Sequence, residues 1–333
     1  MADQHVPVRF GIIGYGNFAE RAIAPAITAT PGAALVAVQK RSLEAARAKA
    51  KELGIPLAFA RAEDLVAHPD VDAVFIVSAN SAHCAETVAA ARAGKHVLVE
   101  KPMALNVGEA EEMIAACARQ NVRLMVGHMI RFSPLVRRMR EVVRSGLLGT
   151  LVSARADFVY DARLSQREWL RERGVAGGGP VYDVGVHCLD TLRYVLDDEV
   201  ETVRSVLDPL PTAERTEESA HLGLRFSRGT LGSIFCSYAA PVRRKEIEIL
   251  GMDGRMTAGE FTVGGITARL TIDTSRDSRP AEPVEEAYEV PNLYVEEISH
   301  FIEAIRTGSP LLTPGENGLA NQRVLDRAVA GTR

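Results

Sequence analysis

The segment VRFGIIGYGNFA at residues 8–19 decides the fold of the first part of the chain. Its first six residues form an apolar run rich in β-branched side chains, which predicts a buried parallel strand. Gly14, Gly16 and Ala19 then follow with the spacing of a dinucleotide-binding fingerprint. Gly14 permits a tight turn, and Gly16 lets the backbone approach a pyrophosphate at the positive end of the next helix. The predicted cofactor contacts in this segment are Gly14, Gly16, Asn17, Phe18 and Ala19.

Strands and helices continue to alternate from this segment as far as residue 127. Most apolar runs of strand length are followed by a stretch of helical length or composition, which is typical of βαβ units. We therefore predict an α/β chain whose residues 1–127 form a doubly wound parallel sheet of the Rossmann type. Strands are expected at 8–13, 34–38, 74–77, 97–99 and 122–126, and helices at 19–29, 43–53, 84–93 and 107–120.

The pattern changes near residue 128. After a helix expected at 135–145, the strands become longer and alternate apolar with polar residues. At 152–158 the even-numbered residues are apolar and the odd-numbered ones, including Asp157, are polar. This period of two predicts a mostly antiparallel sheet. We therefore expect an α+β domain at 128–333 that binds substrate and mediates oligomerisation. Its last helices, expected at 295–306 and 316–330, should pack back toward the Rossmann domain.

Composition and charge restrict the class of protein. The chain has 333 residues, of which 47% are hydrophobic and 25% charged, and this length favours two domains. A formal net charge of −4 disfavours binding to nucleic acid or to an anionic membrane, because both require a basic surface. The four cysteines are scattered, and no cluster has metal-ligand spacing, so we expect no disulfide and no catalytic metal. Without an apolar signal core or membrane span, we expect a cytoplasmic protein.

The end of the second predicted strand bears on the choice of cofactor. NAD enzymes commonly place an acidic residue there, about 20 residues after the glycines, to hold the ribose hydroxyls. This chain has Gln39, Lys40, Arg41 and Ser42 instead. Lys40 and Arg41 could bind a 2′-phosphate, and an arginine plane could stack on adenine. Alternatively, both are solvated charges at a strand end. We predict that NADP is the favoured cofactor, with NAD as the alternative.

Five motifs, in order along the chain, resemble those of the Gfo/Idh/MocA family, which is named after glucose-fructose oxidoreductase and inositol dehydrogenase. The resemblance covers nearly the whole chain and implies a nicotinamide-dependent oxidoreductase. One departure is Ala79, where many relatives carry proline before the asparagine. The motifs are Glu-Lys-Pro at 100–102, Arg-Phe at 131–132, Gly-Leu-Leu-Gly at 146–149, the glycine-rich GGGPVYDVGVH at 177–187 and Asn-Leu-Tyr at 292–294.

Three residues are candidates for the chemistry of oxidising an alcohol. Lys101 follows a strand at the carboxyl edge of the sheet, where its ammonium can hydrogen-bond the reacting oxygen and stabilise negative charge. Asp183 and His187 are four residues apart and share one face of a helical turn. The glycines before them let the backbone approach substrate or cofactor. The resemblance implies that His187 accepts the proton in oxidation and donates it in reduction. Asp183 would position His187, or alternatively cap its helix.

A further set of residues is suggested by position and residue type. The loop after the fourth predicted strand should line the nicotinamide end, although a structural hydrogen bond would explain His83 equally well. Sugar contacts need hydrogen-bond donors and aromatic faces, although Trp169 is explained equally well by packing on an amphipathic helix. The additional cofactor candidates are Ser78, Asn80, His83, Glu100 and Lys101, whose ammonium could also hydrogen-bond the cofactor ribose. The substrate candidates are Arg131, Tyr160, Trp169, Tyr182 and Tyr294.

Three functional classes are compatible with the resemblance. We favour an NADP-dependent dehydrogenase or reductase acting on a sugar, a polyol or a related carbonyl compound. The second class is a redox-neutral glycosidase that retains NAD, which the basic pair Lys40 and Arg41 disfavours. The third is a non-enzymatic sugar or cofactor sensor, which would not need Lys101, Asp183 and His187 together. The resemblance also implies a homodimer or homotetramer.

Overall fold

A computed structural model gives the structure of residues 6–162, 167–262, 264–276, 279–280 and 282–330. The chain divides into two compact units. The first comprises Met1–Gly127 and Tyr294–Gln322, and the second comprises His128–Leu293 and Arg323–Arg333. Among the residues so described, no helix has the length and apolar character required to span a bilayer.

A six-stranded parallel sheet forms the centre of the first unit, as predicted. The strand order is β3-β2-β1-β4-β5-β6, which is that of a doubly wound fold. Because β2 and β4 flank β1, the loops that leave β1 and β4 lie side by side at the carboxyl edge of the sheet. The strands are β1 (Val8–Ile13), β2 (Ala33–Gln39), β3 (Leu57–Phe59), β4 (Ala73–Ile76), β5 (His96–Glu100) and β6 (Leu124–Gly127).

Helices connect these strands. The helix expected at 19–29 begins with a π-helical turn, Ala19–Ile23, and continues as an α-helix that contains Pro25. Since Pro25 has no backbone N–H, it cannot donate a regular helical hydrogen bond, and a widened turn precedes it. The sequence pattern missed β3 and α3, because segments of three and six residues are too short to show a period. The helices are α1 (Ala24–Ala29), α2 (Leu43–Leu53), α3 (Ala62–Ala67), α4 (His83–Arg92) and α5 (Val107–Arg119).

The second unit contains a nine-stranded sheet that is antiparallel except where β7 and β10 pair, which confirms the predicted α+β architecture. The order is β14-β13-β12-β11-β7-β10-β9-β8, with β15 paired to β13. The strands are β7 (Leu151–Asp161), β8 (Val200–Asp208), β9 (Ser219–Phe226), β10 (Leu231–Ser237), β11 (Ala239–Gly251), β12 (Gly254–Gly259), β13 (Ile266–Arg276), β14 (Arg279–Pro280) and β15 (Val284–Val290). The helices are α6 (Pro134–Arg144), α7 (Arg173–Ala176) and α8 (Val186–Leu196).

Helix α8 is the core element of the second unit, because all of its residues are buried. Strand β7 departs from simple alternation. Ala154 and Ala156 are buried as expected, but Asp157, expected on the polar face, is only 2% exposed. Its Oδ2 lies 2.9 Å from Nη2 of Arg244 on β11, so an ion pair accompanies the burial of this carboxylate.

Two long helices end the chain, α9 (Leu293–Thr307) and α10 (Gly315–Val329). The sequence pattern places residues 294–322 in the second domain and predicts that the last helices pack back toward the Rossmann domain, and the contacts group these residues with the first unit. The Phe301 ring lies 6.4 Å from that of Phe10, and the Val126 N–H donates to the Thr313 carbonyl at 2.9 Å. Apolar packing and a backbone hydrogen bond therefore hold this segment on the parallel sheet.

Candidate active site

The turn after β1 has the geometry that a dinucleotide fingerprint requires. Gly14 has φ +81°, and a Cβ atom there would lie 2.5 Å from the Ser78 backbone in the loop after β4. Only glycine fits this position. At Gly16 a Cβ atom would meet nothing closer than the Gly14 carbonyl oxygen at 3.9 Å. The backbone of Gly16 is therefore accessible, and the turn fits a bound pyrophosphate at the start of the helical segment.

Side chains at the end of β2 form hydrogen bonds with this turn. The Gly14 N–H donates to Oε1 of Gln39 at 2.9 Å, and Gln39 in turn donates to the Ala60 carbonyl at 2.8 Å. Lys40 donates from Nζ to the Tyr15 carbonyl at 2.9 Å, and its ammonium lies 5.3 Å from the Tyr15 ring centroid. Two side chains at the end of β2 therefore stabilise the glycine turn itself.

Arg41 and Ser42 differ from Lys40 in their surroundings. Ser42 accepts a hydrogen bond from the Ala45 N–H and so caps α2. Arg41 is exposed and, among the described residues, makes no hydrogen bond or ion pair. Of the two basic residues predicted to bind a 2′-phosphate, Lys40 contacts the glycine turn, and Arg41 has no such contact among the described residues.

His83 ties the loop after β4 to the segment after β5. Its Nδ1 lies 3.0 Å from the Pro102 carbonyl oxygen, and its Nε2 lies 3.3 Å from that of Ser78. The side chain is buried, and burial lowers the pKa of His83 to about 4. The structure favours the structural alternative for His83, whose two ring nitrogens face carbonyl oxygens of the protein.

Two further cofactor candidates lie in the same loop. Asn80 is buried in the short helical turn that precedes α4. Ser78 donates from its hydroxyl to Oε2 of Glu86 on α4. Burial raises the pKa of Glu86 to about 7. The Ser78 backbone, rather than its hydroxyl, is the part that contacts the glycine turn.

Lys101 follows the buried end of β5. Its backbone N–H donates to Oε2 of Glu100 at 3.2 Å, and the Lys101–Pro102 peptide bond is cis. Since the Pro102 carbonyl also faces His83, the backbone on both sides of Lys101 is held in place. The Lys101 side chain itself remains partly exposed. It is therefore a cationic side chain on a fixed backbone at the carboxyl edge of the parallel sheet.

Phe18 and Tyr294 form an aromatic contact within the first unit. The Phe18 ring contacts the Tyr294 ring edge to face, with centroids 5.8 Å apart. Burial and the nearby carboxylates of Glu100 and Glu297 raise the pKa of Tyr294 well above its usual range, so the phenol stays neutral.

The second unit places Asp183 and His187 at the start of its buried helix. Asp183 lies in a π-helical turn, Val181–Gly185, and His187 lies in the first turn of α8. The residue that caps this turn is Pro180, so Asp183 is not the helix cap. Both residues are buried, each 7% exposed. The predicted helical placement of the pair is therefore observed in the structure.

The Asp183 carboxylate is held by two side chains. The Tyr160 hydroxyl donates to Asp183 Oδ2 at 2.8 Å. Arg167 donates from Nη2 to the Tyr160 hydroxyl at 2.9 Å and lies 3.4 Å from the same carboxylate oxygen. Hydrogen bonds to the charged form and an adjacent cation both favour an ionised carboxylate. Tyr160, predicted as a sugar contact, therefore also orients Asp183.

The His187 imidazole packs against an aromatic ring. It stacks on Phe158 of β7 with centroids 6.1 Å apart and an interplanar angle of 27°. On β11, the Lys245 ammonium lies 4.9 Å from the centroid of the same Phe158 ring. Phe158 is therefore shared between a histidine and a cation.

The glycines before this pair serve packing in the second unit. A Cβ atom on Gly179 would lie 2.0 Å from the Glu217 carbonyl oxygen, and one on Gly178 would lie 2.5 Å from the Tyr182 ring. The buried Glu217 side chain accepts a hydrogen bond from the Val181 N–H at 3.1 Å. Close approach of protein to protein thus explains these glycines, where the sequence suggested close approach to a ligand.

Two of the predicted substrate contacts have structural roles. Arg131 donates from Nε and Nη2 to both carboxylate oxygens of Asp190, at 2.8 and 2.9 Å. This guanidinium keeps the pKa of the buried Asp190 well below its usual range despite its burial. Tyr182 is 1% exposed and donates to Oδ1 of Asp326 at 2.8 Å. The structure contradicts a sugar contact for the Tyr182 hydroxyl, and the Arg131 guanidinium is committed to Asp190.

Trp169 lies in a short 3-10 turn, Glu168–Arg171. Together with Tyr160 it packs, partly buried, against a small cluster formed by Ala162, Leu170 and Tyr238. An aromatic wall therefore lies next to the Tyr160–Asp183 hydrogen bond. This arrangement combines the two alternatives for Trp169, because the indole packs on the unit and also remains partly exposed.

Sequence reasoning missed three residues that shape the site. Gln39 stands where an NAD enzyme carries its carboxylate, so its position was the available signal. Arg167 lies two residues before the only tryptophan, in a charged run without a period. Lys245 gave no signal, because its contact with Phe158 depends on the pairing of β7 with β11.

Two family descriptions and several known enzymes match the chain. The family described as "Oxidoreductase family, NAD-binding Rossmann fold" matches residues 8–128, and "GFO/IDH/MocA C-terminal domain" matches residues 136–257. The 1,5-anhydro-D-fructose reductase of Ensifer adhaerens is 34% identical to the chain, over 93% of the chain and 92% of that protein. The D-xylose 1-dehydrogenase (NADP(+)) 2 of Haloferax volcanii is 30% identical over 95% of each protein.

A solved structure is similar over the same extent. The aldose-aldose oxidoreductase from Caulobacter crescentus has a TM-score of 0.85 and 28% identity, and the match covers 97% of this chain and 98% of that one. Both units of the chain are included in these matches. The chain therefore belongs to the Gfo/Idh/MocA family of oxidoreductases, which combine an NAD-binding Rossmann fold with a C-terminal domain of their own.

Proposed function

We propose that this protein is an NADP-preferring dehydrogenase or reductase of a sugar, a polyol or a related compound. It would transfer a hydride between the nicotinamide and a CH–OH or carbonyl group. The observation that carries the proposal is the pair Asp183 and His187, whose side chains are held by Tyr160, Arg167 and Phe158. An ionised carboxylate and an imidazole on consecutive helical turns suit proton transfer to and from a hydroxyl.

The end of β2 supports a preference for NADP. No carboxylate stands there to accept ribose hydroxyls, and Gln39 is committed to the glycine turn. Arg41 is exposed beside that turn, and a guanidinium forms strong hydrogen bonds with phosphate. The relative from Haloferax volcanii, which is named as an NADP(+) enzyme, is in keeping with this preference.

The residues divide the chemical work as follows. His187 takes the hydroxyl proton in oxidation and returns it in reduction, and Asp183 favours the protonated intermediate state of the imidazole. The Lys101 ammonium stabilises negative charge that develops on the reacting oxygen. The turn formed by Gly14 and Gly16 binds the pyrophosphate. The nicotinamide, when bound, accepts or supplies the hydride.

A sugar-like substrate follows from the surroundings of Asp183. The partly exposed faces of Trp169 and Tyr160 suit the apolar face of a pyranose or cyclitol, and Arg167 offers donors to its hydroxyls. Two relatives are named for 1,5-anhydro-D-fructose and D-xylose, which belong to this class.

Nicotinamide absorbance tests the proposal. The purified protein is incubated with NADP⁺ or NAD⁺ and a panel of aldoses, polyols and inositols, and with reduced cofactor and the matching carbonyl compounds. We expect turnover with one substrate class and a higher kcat/KM with NADP⁺. The control variant His187→Asn should lose turnover and still bind cofactor. The absence of any redox change with every pair would refute the proposal and favour a redox-neutral glycosidase or a sensor.

We further propose a homodimer or homotetramer. The second-unit sheet carries apolar side chains that remain exposed, including Val206 at 73% and Leu231 at 58%. The family resemblance implies such an assembly, and exposed apolar side chains on the sheet are available for the contact. Sedimentation velocity of the purified protein tests the assembly, and a single monomeric species at micromolar concentration would contradict it.

A further inference from the structure

Lys245 is a buried cation that has no role in the proposed chemistry. It lies on β11, opposite Phe158 in the β7–β11 register, and its side chain is only 10% exposed. Burial lowers its pKa, which is the expected response of a desolvated ammonium. Its ion-pair partner is Glu260, at 3.8 Å and half-exposed, so this pair compensates the burial only in part.

The ammonium has a second contact, and this contact leads to His187. Nζ lies 4.9 Å from the Phe158 ring centroid, within the range of a cation–π interaction. The same ring also contacts the His187 imidazole, and the two ring centroids are 6.1 Å apart. Nζ therefore lies within about 11 Å of the imidazole, in a region of low dielectric where unit charges still interact appreciably. All three residues belong to the second unit.

We propose that Lys245 is an electrostatic positioning residue for His187 and acts through the Phe158 ring. The cation holds Phe158 in place, and Phe158 orients the imidazole. The positive charge also disfavours the imidazolium form, which keeps His187 neutral and able to accept a proton at neutral pH. The inference rests on the proposed function for the role of His187 in turnover, but the electrostatic effect on His187 exists without turnover.

Other charged groups also surround His187. Asp183 and Asp190 on its own helical segment favour the imidazolium, and each is paired with cations. Strands β7 and β11 contribute the ion pair between Asp157 and Arg244. The variants below leave these pairs unchanged: Asp183 with Arg167, Asp190 with His128, Arg131 and Arg193, and Asp157 with Arg244.

Titration of His187 by NMR tests the inference directly. Full-length protein with labelled histidines is titrated, and the His187 signal is identified by its loss in His187→Asn. Removing the cation in Lys245→Met should raise the His187 titration midpoint by about 0.5–1 pH unit. Lys245→Arg keeps the charge and should leave the midpoint within about 0.2 unit. Glu260→Gln removes the opposing charge and should lower the midpoint.

The signs of these shifts make the outcome decisive. An unchanged midpoint in Lys245→Met would overturn the inference. If Lys245→Met does not fold, the surface variant Glu260→Gln still tests it, because a shift upward or no shift would contradict an electrostatic role. Once a substrate is known, the acid limb of kcat/KM for oxidation should move with the midpoint. A moved midpoint in a protein without redox turnover would refute the proposed function and leave the electrostatic role of Lys245 standing.

Discussion

At the residue scale, the Asp183 carboxylate is held by neighbouring side chains of its own unit. The Tyr160 hydroxyl and the Arg167 guanidinium both donate to one carboxylate oxygen. Since a hydrogen bond to a charged group contributes about 1.5–3 kcal/mol, losing one should be visible in the kinetics.

Tyr160→Phe measures that contribution. It removes the hydroxyl and keeps the ring, so we expect kcat/KM to fall about 10- to 100-fold with little change in Tm. The matched control is Tyr288→Phe on β15, whose hydroxyl also donates to a carboxylate, that of Glu286. The measurement is steady-state kinetics of both variants and the wild type, with the best substrate among the aldoses, polyols and inositols. Equal kinetics for Tyr160→Phe and wild type would show that Arg167 alone orients Asp183.

Arg41 carries the prediction on cofactor choice. Arg41 follows Lys40, which contacts the glycine turn, and its exposed side chain makes no hydrogen bond or ion pair among the described residues. Arg41→Ala should raise KM for NADP⁺ about 10-fold and leave KM for NAD⁺ nearly unchanged. Arg119→Ala, which removes an exposed arginine from the last turn of α5, serves as the charge control. A parallel rise for both cofactors would mean that Arg41 does not distinguish them.

Residue types and spacing single out candidate site residues only where the signal is local. Lys101, Asp183 and His187 stand in motifs, so sequence could single them out. Arg131 and Tyr182 looked equally suitable as sugar contacts, but their partners Asp190 and Asp326 lie 59 and 144 residues away in sequence. Such partners are determined by packing, which no local pattern reports.

At the scale of elements, the glycine run before Asp183 is explained by packing within the second unit. Gly178 and Gly179 lie against Tyr182 and the Glu217 backbone with no space for a side chain. The π-helical turn that carries Asp183 starts directly after them. The position of Asp183 and His187 therefore depends on how closely this segment approaches the start of β9.

Gly179→Ala tests this dependence. The new Cβ atom would lie 2.0 Å from the Glu217 carbonyl oxygen, so the backbone must shift. We expect a loss of stability of about 2–4 kcal/mol, measured by urea unfolding. Gly174→Ala in α7 is the control, because a Cβ atom there meets nothing within 4 Å and alanine favours a helix. Equal stability of the two variants would contradict tight packing at Gly179.

Elements with a clear period could be predicted, and the others could not. Strand β1 and helix α2 lie where the sequence placed them, because each is long enough to show its pattern. The strand β3 has three residues, and Asp157 of β7, expected on the exposed polar face, is buried beside Arg244 of β11. The membership of residues 294–322 in the first unit depends on contacts with β1 and β6, which lie far away along the chain.

At the scale of the whole molecule, two buried groups of the first unit should shape the pH dependence of stability. Burial lowers the pKa of His83 from 6.5 to about 4, and burial raises the pKa of Glu86 from 4.5 to about 7. Between pH 4 and 6.5 the unfolded chain binds a proton at His83 that the folded chain does not, so this group makes stability fall as pH decreases. Between pH 4.5 and 7 the folded chain keeps a proton at Glu86 that the unfolded chain loses, so this group makes stability fall as pH increases.

The two contributions to stability oppose each other between pH 4.5 and 6.5. This pair should therefore make the stability of the wild-type protein depend little on pH in that range. Glu86→Gln leaves only the His83 contribution, and its free energy of unfolding should fall by about 2 kcal/mol from pH 6.5 to pH 5. His83→Gln leaves only Glu86 and should gain stability over the same interval. The partly exposed His68, replaced in His68→Gln, is the control and should follow the wild type. Urea unfolding at the two pH values measures the sign of each change in stability. If the stability of Glu86→Gln and of His83→Gln changed in the same direction with pH, the opposite contributions of His83 and Glu86 would be refuted.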